Sequence, residues 1–368
     1  MTDLYCPVIH GGLSINLKTN GEIRYNHCCL RSDFNFSDNL KTDLFSSPSL
    51  ESLRQFNKSN NWAAGCDTCR LNEQTQYQSF RTGMTSLIGK TPPLHGPTRL
   101  DLMFDINCNL ACRICGPESS SLWMKHLKEH NINNTRNTPH RSRAEEMIKI
   151  LSNIDFTDLK MVVFCGGETL LGTSYWKVAE YIASRNSNIT LSFQTNGTQP
   201  ILQKYYELIE KFDLVKLHIS LDGTKDKFNY QRWPAEWNQV TENILEIKET
   251  APVNTMFLVE ETLSVMNILY QNELDSWLKK YFFENRLGDE TTHTKHLAYK
   301  EFNLENITEE YYQLLKKRNL SSLVSKNWKE NPKEIEFLVT KIKTFDKIRN
   351  QNFAKTFPEV AECYARYL

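Results

Sequence analysis

Sulfur dominates the chemistry legible in this 368-residue chain. In DINCNLACRIC, Asp105 to Cys115, the residues Cys108, Cys112 and Cys115 are separated by three and then two positions. So short a loop can wrap three thiolates around one face of an iron–sulfur cluster and leave one iron without a cysteine ligand. That open position can take a substrate or cofactor through nitrogen and oxygen atoms. Zinc or a purely structural cluster is the alternative. A closed zinc site takes four ligands, no fourth cysteine follows at short spacing, and a distant ligand stays open.

A second group comes earlier, as Cys6, the adjacent pair Cys28 and Cys29, and Cys66-x2-Cys69. Four thiolates from Cys6, one of the pair, Cys66 and Cys69 complete a second site, with Glu73, Ser79 and Arg81 placed to brace it. Cys28 is preferred to Cys29 because an Asn20-Gly21 hairpin presents it. Four-cysteine zinc is the alternative.

Eight of the ten cysteines fall in the first third of the chain, which suggests metal binding rather than disulfides. Lys plus Arg and Asp plus Glu both number 44, so no global field favours nucleic acid or an anionic membrane. Mean hydropathy is −0.52, and apolar runs such as Met161–Phe164 are far too short to span a bilayer. Met1 to Tyr5 leads into polar sequence without a basic segment and apolar core, so a cytoplasmic protein is expected. Glu and Asp intervene among the cations of IEFLVTKIKTFDKIRN, which read as a solvated face.

The elements that must position these groups follow an α/β alternation. SINLKTNGEIRY reads as two short strands around an Asn-Gly turn within an irregular segment 1–97, whose stretch from Asp33 to Asn60 is too sparse in apolar residues for its own core. Thr91-Pro92-Pro93 through Gly96-Pro97 reads as a boundary. Strands follow in RLDLMFDI, KMVVFC, NITLSFQT, DLVKLHIS and APVNTMFLV, with a sixth over His293–Tyr299. Helices are expected in SSSLWMKHLKEH and SYWKVAEYIASR, and around Leu202–Lys211, Trp237–Glu249 and Val265–Tyr281. Asn131–Arg141 reads as a polar loop, and residues 301–368 turn helical.

CNLACRICGP and the Gly166-Gly167-Glu168 after the next strand together resemble the radical S-adenosylmethionine superfamily. The resemblance implies an α/β fold with a partial (β/α)6 TIM-like barrel over 98–300. It implies that Cys108, Cys112 and Cys115 ligate a 4Fe-4S cluster, and that Gly166, Gly167 and Glu168 meet the amino end of S-adenosylmethionine. Thr195 and Asn196 of QTNG, and Ser220 and Asp222 of SLDG, stand where similar enzymes surround the cofactor; turn stabilisation is the other account. Tyr230 and Arg232 of YQRWPAEW lie near the same mouth or anchor the following helix. Cys165 and Cys363 are the thiols weighed as hydrogen-atom donors, and a strand cysteine is the preferred reading of Cys165.

The early cysteines resemble the Twitch variety of these enzymes, whose shortened SPASM-like module holds an auxiliary 4Fe-4S cluster. Here the module, 1–97, precedes the barrel, and 301–368 is a helical extension packed on it. YQRWPAEW and DKIRNQNFAKTFPEV extend this resemblance over nearly the whole chain. It implies reductive cleavage of S-adenosylmethionine to a 5′-deoxyadenosyl radical, fed by a flavodoxin- or ferredoxin-like electron donor. A peptide or protein is the favoured substrate, with a carbohydrate or nucleoside as the small-molecule alternative and a noncatalytic iron–sulfur protein as the third reading.

Overall fold

A computed structural model describes the chain except residues 1–3, 19, 30–34, 38–41, 75–77, 133–141, 284–291 and 299. The expected loop Asn131–Arg141 therefore lies mostly outside the described residues. One nine-stranded sheet organises the rest. Its strands are β1 (Gly12–Leu17), β2 (Ile23–Asn26), β3 (Asn35–Ser37), β4 (Arg99–Met103), β5 (Met161–Cys165), β6 (Thr190–Thr195), β7 (Leu214–Ser220), β8 (Thr255–Leu263) and β9 (Thr292–Leu297). Their spatial order is β3-β2-β1-β4-β5-β6-β7-β8-β9. The β1–β2 and β2–β3 pairs are antiparallel, and every pairing from β1–β4 through β8–β9 is parallel.

The sheet runs unbroken across the sequence boundary near residue 97, because β1 pairs with β4 from Gly12↔Arg99 to Asn16↔Met103. The physical reason is burial. Leu13, Ile15 and Leu17 share one core with Leu100 and Leu102, so the amino-terminal hairpin completes its apolar face against the main sheet.

Side chains alternate between faces along each strand. Val162, Phe164, Leu191, Phe193, Leu217, Ile219, Phe257 and Val259 all join the main core. The helices contributing to that core include α6 (Ala144–Leu151), α7 (Ser174–Arg185), α10 (Trp237–Thr250) and α11 (Gln271–Trp277). On the opposite face Met161 and Val163 meet α1 (Pro7–Gly11) and α4 (Phe80–Ile88) through Val8, Ile9, Met84 and Ile88. Between α1 and α4 lie α2 (Pro48–Lys58) and α3 (Asp67–Gln74). Asn57 of α2 clasps the start of the chain, accepting from Cys6 N at 3.1 Å and donating to Leu4 O at 3.1 Å.

The loop of Cys108, Cys112 and Cys115 precedes α5 (Ser121–Glu129); α8 (Tyr206–Ile209) and α9 (Lys225–Gln231) flank β7. After β9 come α12 (Glu309–Lys317), α13 (Pro332–Arg349), α14 (Phe353–Thr356) and α15 (Pro358–Cys363). Tyr311, Leu338, Ile342, Phe353, Phe357 and Val360 form their own apolar cluster with Tyr230 and Val265.

Two expected elements shift. β8 continues to Leu263, past Val259 where the expected strand APVNTMFLV ends. The helix expected from Val265 starts at a 3-10 turn, Ile268–Tyr270. Asn267 imposes that delay, its side-chain oxygen accepting from Ser264 N at 2.7 Å and Ser264 Oγ at 3.1 Å.

Candidate active site

The loop after β4 carries Cys108, Cys112 and Cys115 on a backbone pinned from three sides. Ala111 N donates to Trp233 O and Arg113 N to Gln231 O, both at 2.7 Å, tying the loop to the end of α9 and its following turn. Trp123 Nε1 of α5 donates to Cys112 O at 2.9 Å, and Ser120 Oγ donates to Leu110 O at 2.6 Å. Burial pushes the Cys108 thiol up to about 11 and Cys112 higher still, so each resists becoming an isolated thiolate. A bound cation reverses that preference and releases the protons.

The Gly166-Gly167-Glu168 segment after β5 lies directly against this loop. Gly167 N donates to Asp105 O at 3.1 Å and Glu168 N to Asn107 O at 2.7 Å. The glycines are a steric requirement. A Cβ on Gly166, whose φ is +133°, would sit 2.4 Å from Asp105 O, and one on Gly167 would sit 2.2 Å from Asn107 O. Gly167→Ala must therefore push two backbone segments apart. A loss of about 1–3 kcal/mol is expected, read as a lower urea midpoint, together with reduced iron per chain after anaerobic reconstitution. Normal iron retention would show that this contact does not set the loop.

The Glu168 carboxylate faces inward. It accepts from Thr195 Oγ1 at 2.7 Å, Asn196 N at 2.6 Å and Leu170 N at 3.0 Å. Burial raises its pKa despite these donors. Thr195 is thus bonded to Glu168, while Asn196 reaches back to the cysteine loop, its Nδ2 3.1 Å from Asn109 Oδ1 and 3.9 Å from Cys108 Sγ.

Asp222 is fully buried. Its Oδ1 accepts from Thr262 N at 2.8 Å, and its Oδ2 lies 2.8 Å from Arg232 Nη2. Arg232 is near enough to Cys112 and Cys115 to be affected by their charge. Ser220 is half-buried at the end of β7. Tyr230 points the other way, donating to Asp346 Oδ1 of α13 at 2.6 Å. Cys363 sits in the carboxy-terminal apolar cluster, its Sγ 3.4 Å from Glu359 O, and is not brought to the cysteine loop. Cys165 closes β5 on the face covered by the amino-terminal segment, where its titratable neighbours are Asp101, Cys29 and Arg99.

The early cysteines converge on one cleft. Cys6, Cys28, Cys66 and Cys69 line it together with His27, Trp62 and Arg81, around ≈ 480 Å³ of empty space that includes its opening to solvent. Cys29 does not line this cleft; its side chain is hydrogen-bonded to Cys28, with Asp101 and Arg99 acting on it more weakly. Glu73, Ser79 and Arg81 form a linked brace. Arg81 Nε donates to Glu73 Oε1 at 2.8 Å and Nη2 to Oε2 at 2.5 Å, while Ser79 Oγ donates to Oε1 at 2.6 Å. Arg81 Nη1 reaches Tyr5 O at 2.8 Å, fixing the residue before Cys6. Burial pushes the Cys6 thiol up to about 12.

One polar group escaped the motif reading. His218 of β7 lies with Nδ1 2.8 Å from Glu260 Oε1 of β8, and Glu260 Oε2 is also bonded to His296 Nε2 of β9. Burial opposes ionisation of Glu260, but the two imidazoles hold its carboxyl down at about 2. The alternation of β7 and β8 puts this triad on the face opposite the packed helices, the face that Ser220 shares. Strand ends of a parallel sheet are where such folds place ligands.

Residues 106–268 match the family model described as the Radical SAM superfamily, so the chain carries a Radical SAM domain and is an enzyme. No curated protein matches the sequence. Among solved structures, the chain is similar to native anSMEcpe with bound AdoMet, at 19% identity and TM-score 0.41, covering 69% of this chain and 62% of that one. It thus spans under two thirds of that protein's length. Streptococcus suis SuiB bound to S-adenosylmethionine is similar at 12% identity and TM-score 0.39, covering 94% and 74% of the two chains. SuiB bound to precursor peptide SuiA gives 12% and 0.39, with 95% and 74% covered.

Proposed function

We propose that this chain, which carries a Radical SAM domain, cleaves S-adenosylmethionine reductively at a 4Fe-4S cluster held by Cys108, Cys112 and Cys115 and uses the product to modify a peptide or protein. The observation that carries this reading is the direct backbone contact between the three-cysteine loop and Gly166-Gly167-Glu168. The donor set fits an iron–sulfur cluster better than zinc. Three thiolates on one short loop leave one iron of a cluster open, whereas a closed zinc site takes four ligands. When bound, the cluster supplies the electron that opens the sulfonium, giving methionine and a 5′-deoxyadenosyl radical able to take hydrogen from an unactivated bond.

The chain's own residues have separate tasks. Gly166 and Gly167 bring a bare backbone beside the cysteine loop for the methionine end of the cofactor. Glu168 acts as a brace on Thr195 and Asn196, and Asn196 and Asp222 hold the mouth from β6 and β7. Arg232 sets positive charge beside Cys112 and Cys115. His218, Glu260 and His296 face the substrate on the polar side of β7–β9. That side ends on the edge strand β9, which suits a chain-like substrate; a carbohydrate or nucleoside is the second reading. Cys6, Cys28, Cys66 and Cys69 hold an auxiliary 4Fe-4S cluster in their shared cleft, as in a Twitch-like module. The division into 1–97, 98–300 and 301–368 is then one of roles within a continuous sheet, whose β4–β9 correspond to a partial (β/α)6 barrel. A flavodoxin- or ferredoxin-like donor supplies the electron. Among the described residues no helix is long and apolar enough to cross a membrane.

The test is anaerobic reconstitution followed by assay of 5′-deoxyadenosine and Mössbauer spectroscopy. A protein that takes up no iron–sulfur cluster, or forms no 5′-deoxyadenosine under reduction, ends this reading. Glu168→Gln separates brace from direct contact. Its amide would turn a donor toward one of three donors, so the cluster-free chain should lose about 1–3 kcal/mol in urea unfolding. Unchanged stability with weakened S-adenosylmethionine binding would instead assign Glu168 to the cofactor.

A further inference from the structure

The end of α13 buries a cation that forms no ion pair with a described residue. Arg349 is 7% exposed. Its guanidinium lies 4.6 Å from the Trp123 ring, 4.8 Å from Trp233 and 4.8 Å from Phe345. Its Nε donates to His126 Nε2 at 3.2 Å, and burial together with Arg349 itself pushes that imidazole down to about 4, so the acceptor is neutral. Nη1 and Nη2 have no hydrogen-bond partner among the described residues.

The neighbouring carboxylate is already committed. Asp346 Oδ1 accepts from Arg113 Nη2 at 2.7 Å and Tyr230 OH at 2.6 Å, and its Oδ2 accepts from Phe353 N at 2.6 Å. Arg113 is 1% exposed, so two buried guanidinium groups share one carboxylate. Burial and then repulsion from Arg113 push Arg349 down to about 9. A buried charge in this state costs stability unless an opposite charge compensates it.

The geometry shows where that charge belongs. The Trp123 ring under Arg349 donates its indole N–H to Cys112 O, so the cation stands one ring away from the middle cysteine of the loop. Three thiolates on an iron–sulfur core carry net negative charge, which grows by one when the core takes an electron. We infer that Arg349 is the counter-charge of the reduced cluster, a positioning residue supplied by the carboxy-terminal extension that raises the cluster's reduction potential. The inference rests on the cluster assignment to Cys108, Cys112 and Cys115. The aromatic rings exclude water and fix the guanidinium, so its field reaches the loop with little screening.

The experiment is a redox titration monitored by electron paramagnetic resonance, on anaerobically reconstituted full chain without S-adenosylmethionine. Wild type is compared with Arg349→Met and Arg349→Lys, and the thermal midpoint of each cluster-free chain is measured alongside. Arg349→Met is expected to lower the reduction equilibrium about tenfold, about 59 mV for one electron, while Arg349→Lys keeps most of the wild-type potential. Cluster-free Arg349→Met should melt no lower than wild type, because it removes a buried charge that has no ion-pair partner. An unmoved potential in Arg349→Met, equal shifts in Met and Lys, or a cluster-free Met variant that fails to fold would each overturn the inference. A wild-type chain that assembles no cluster at these cysteines would instead defeat the functional reading on which it rests.

Discussion

Replacing any one of Cys108, Cys112 and Cys115 with serine is expected to reduce 5′-deoxyadenosine formation by roughly a thousandfold or more, and the triple replacement should do little further harm. That non-additivity follows from the loop's construction. The three thiols sit on one short backbone segment fixed by Trp233, Gln231 and Trp123, so losing one ligand leaves the other two unable to retain the same open cluster. Cys112 is the strictest case, since it is 8% exposed and its carbonyl is already bonded to the Trp123 indole. The measurement is 5′-deoxyadenosine per chain after anaerobic reconstitution, with iron, sulfide and a far-ultraviolet spectrum recorded on the same samples. A folded triple variant that kept wild-type cleavage would remove these residues from the site.

The joint change Cys66→Ala and Cys69→Ala should remove about four iron atoms per chain while leaving the other cluster to assemble. The two cysteines belong to a cleft walled by Cys6, Cys28 and the Arg81–Glu73 brace, separate from the loop after β4. Uncoupled formation of 5′-deoxyadenosine should therefore survive. Iron, sulfide and zinc counts on anaerobically purified chain decide the metal. Zinc in the native protein, with no loss of iron in the variant, would assign the cleft to zinc. Unchanged metal content of every kind would empty the proposal.

The sequence made the parallel α/β alternation legible because each strand is short, apolar and followed by a turn or helical pattern. It also made the hairpin around Asn20-Gly21 legible, since that turn is local. The partner of β1 was hidden. Pairing Gly12 with Arg99 is a long-range choice driven by where Leu13 and Ile15 find a core, and nothing near those residues names β4. Cys28 and Cys29 are equivalent in spacing and separate only in three dimensions, where one lines the cleft and the other feels the Arg99–Asp101 pair. Glu168 could be placed by its motif, but its inward orientation depends on Thr195 and Asn196 at the end of the next strand. His218, Glu260 and His296 form no motif, because each belongs to a different strand and only the lateral order β7-β8-β9 makes them neighbours.

The parallel pairing of β1 with β4 also has a bearing on biogenesis. During synthesis Cys6, Cys28, Cys66 and Cys69 leave the ribosome before the strand against which their hairpin docks, and domains fold as units once their partners have emerged. Until Arg99–Met103 follows, Leu13, Ile15 and Leu17 lack the core that buries them, and Met161 and Val163, which pack against α1, come later still. Iron and sulfide delivered early would meet a nascent segment with its thiols unplaced and open to oxidation. Assembly of any cluster in the amino-terminal cleft would thereby wait for translation of the central strands, and the loop of Cys108, Cys112 and Cys115 would wait longer still, for Gln231 and Trp233.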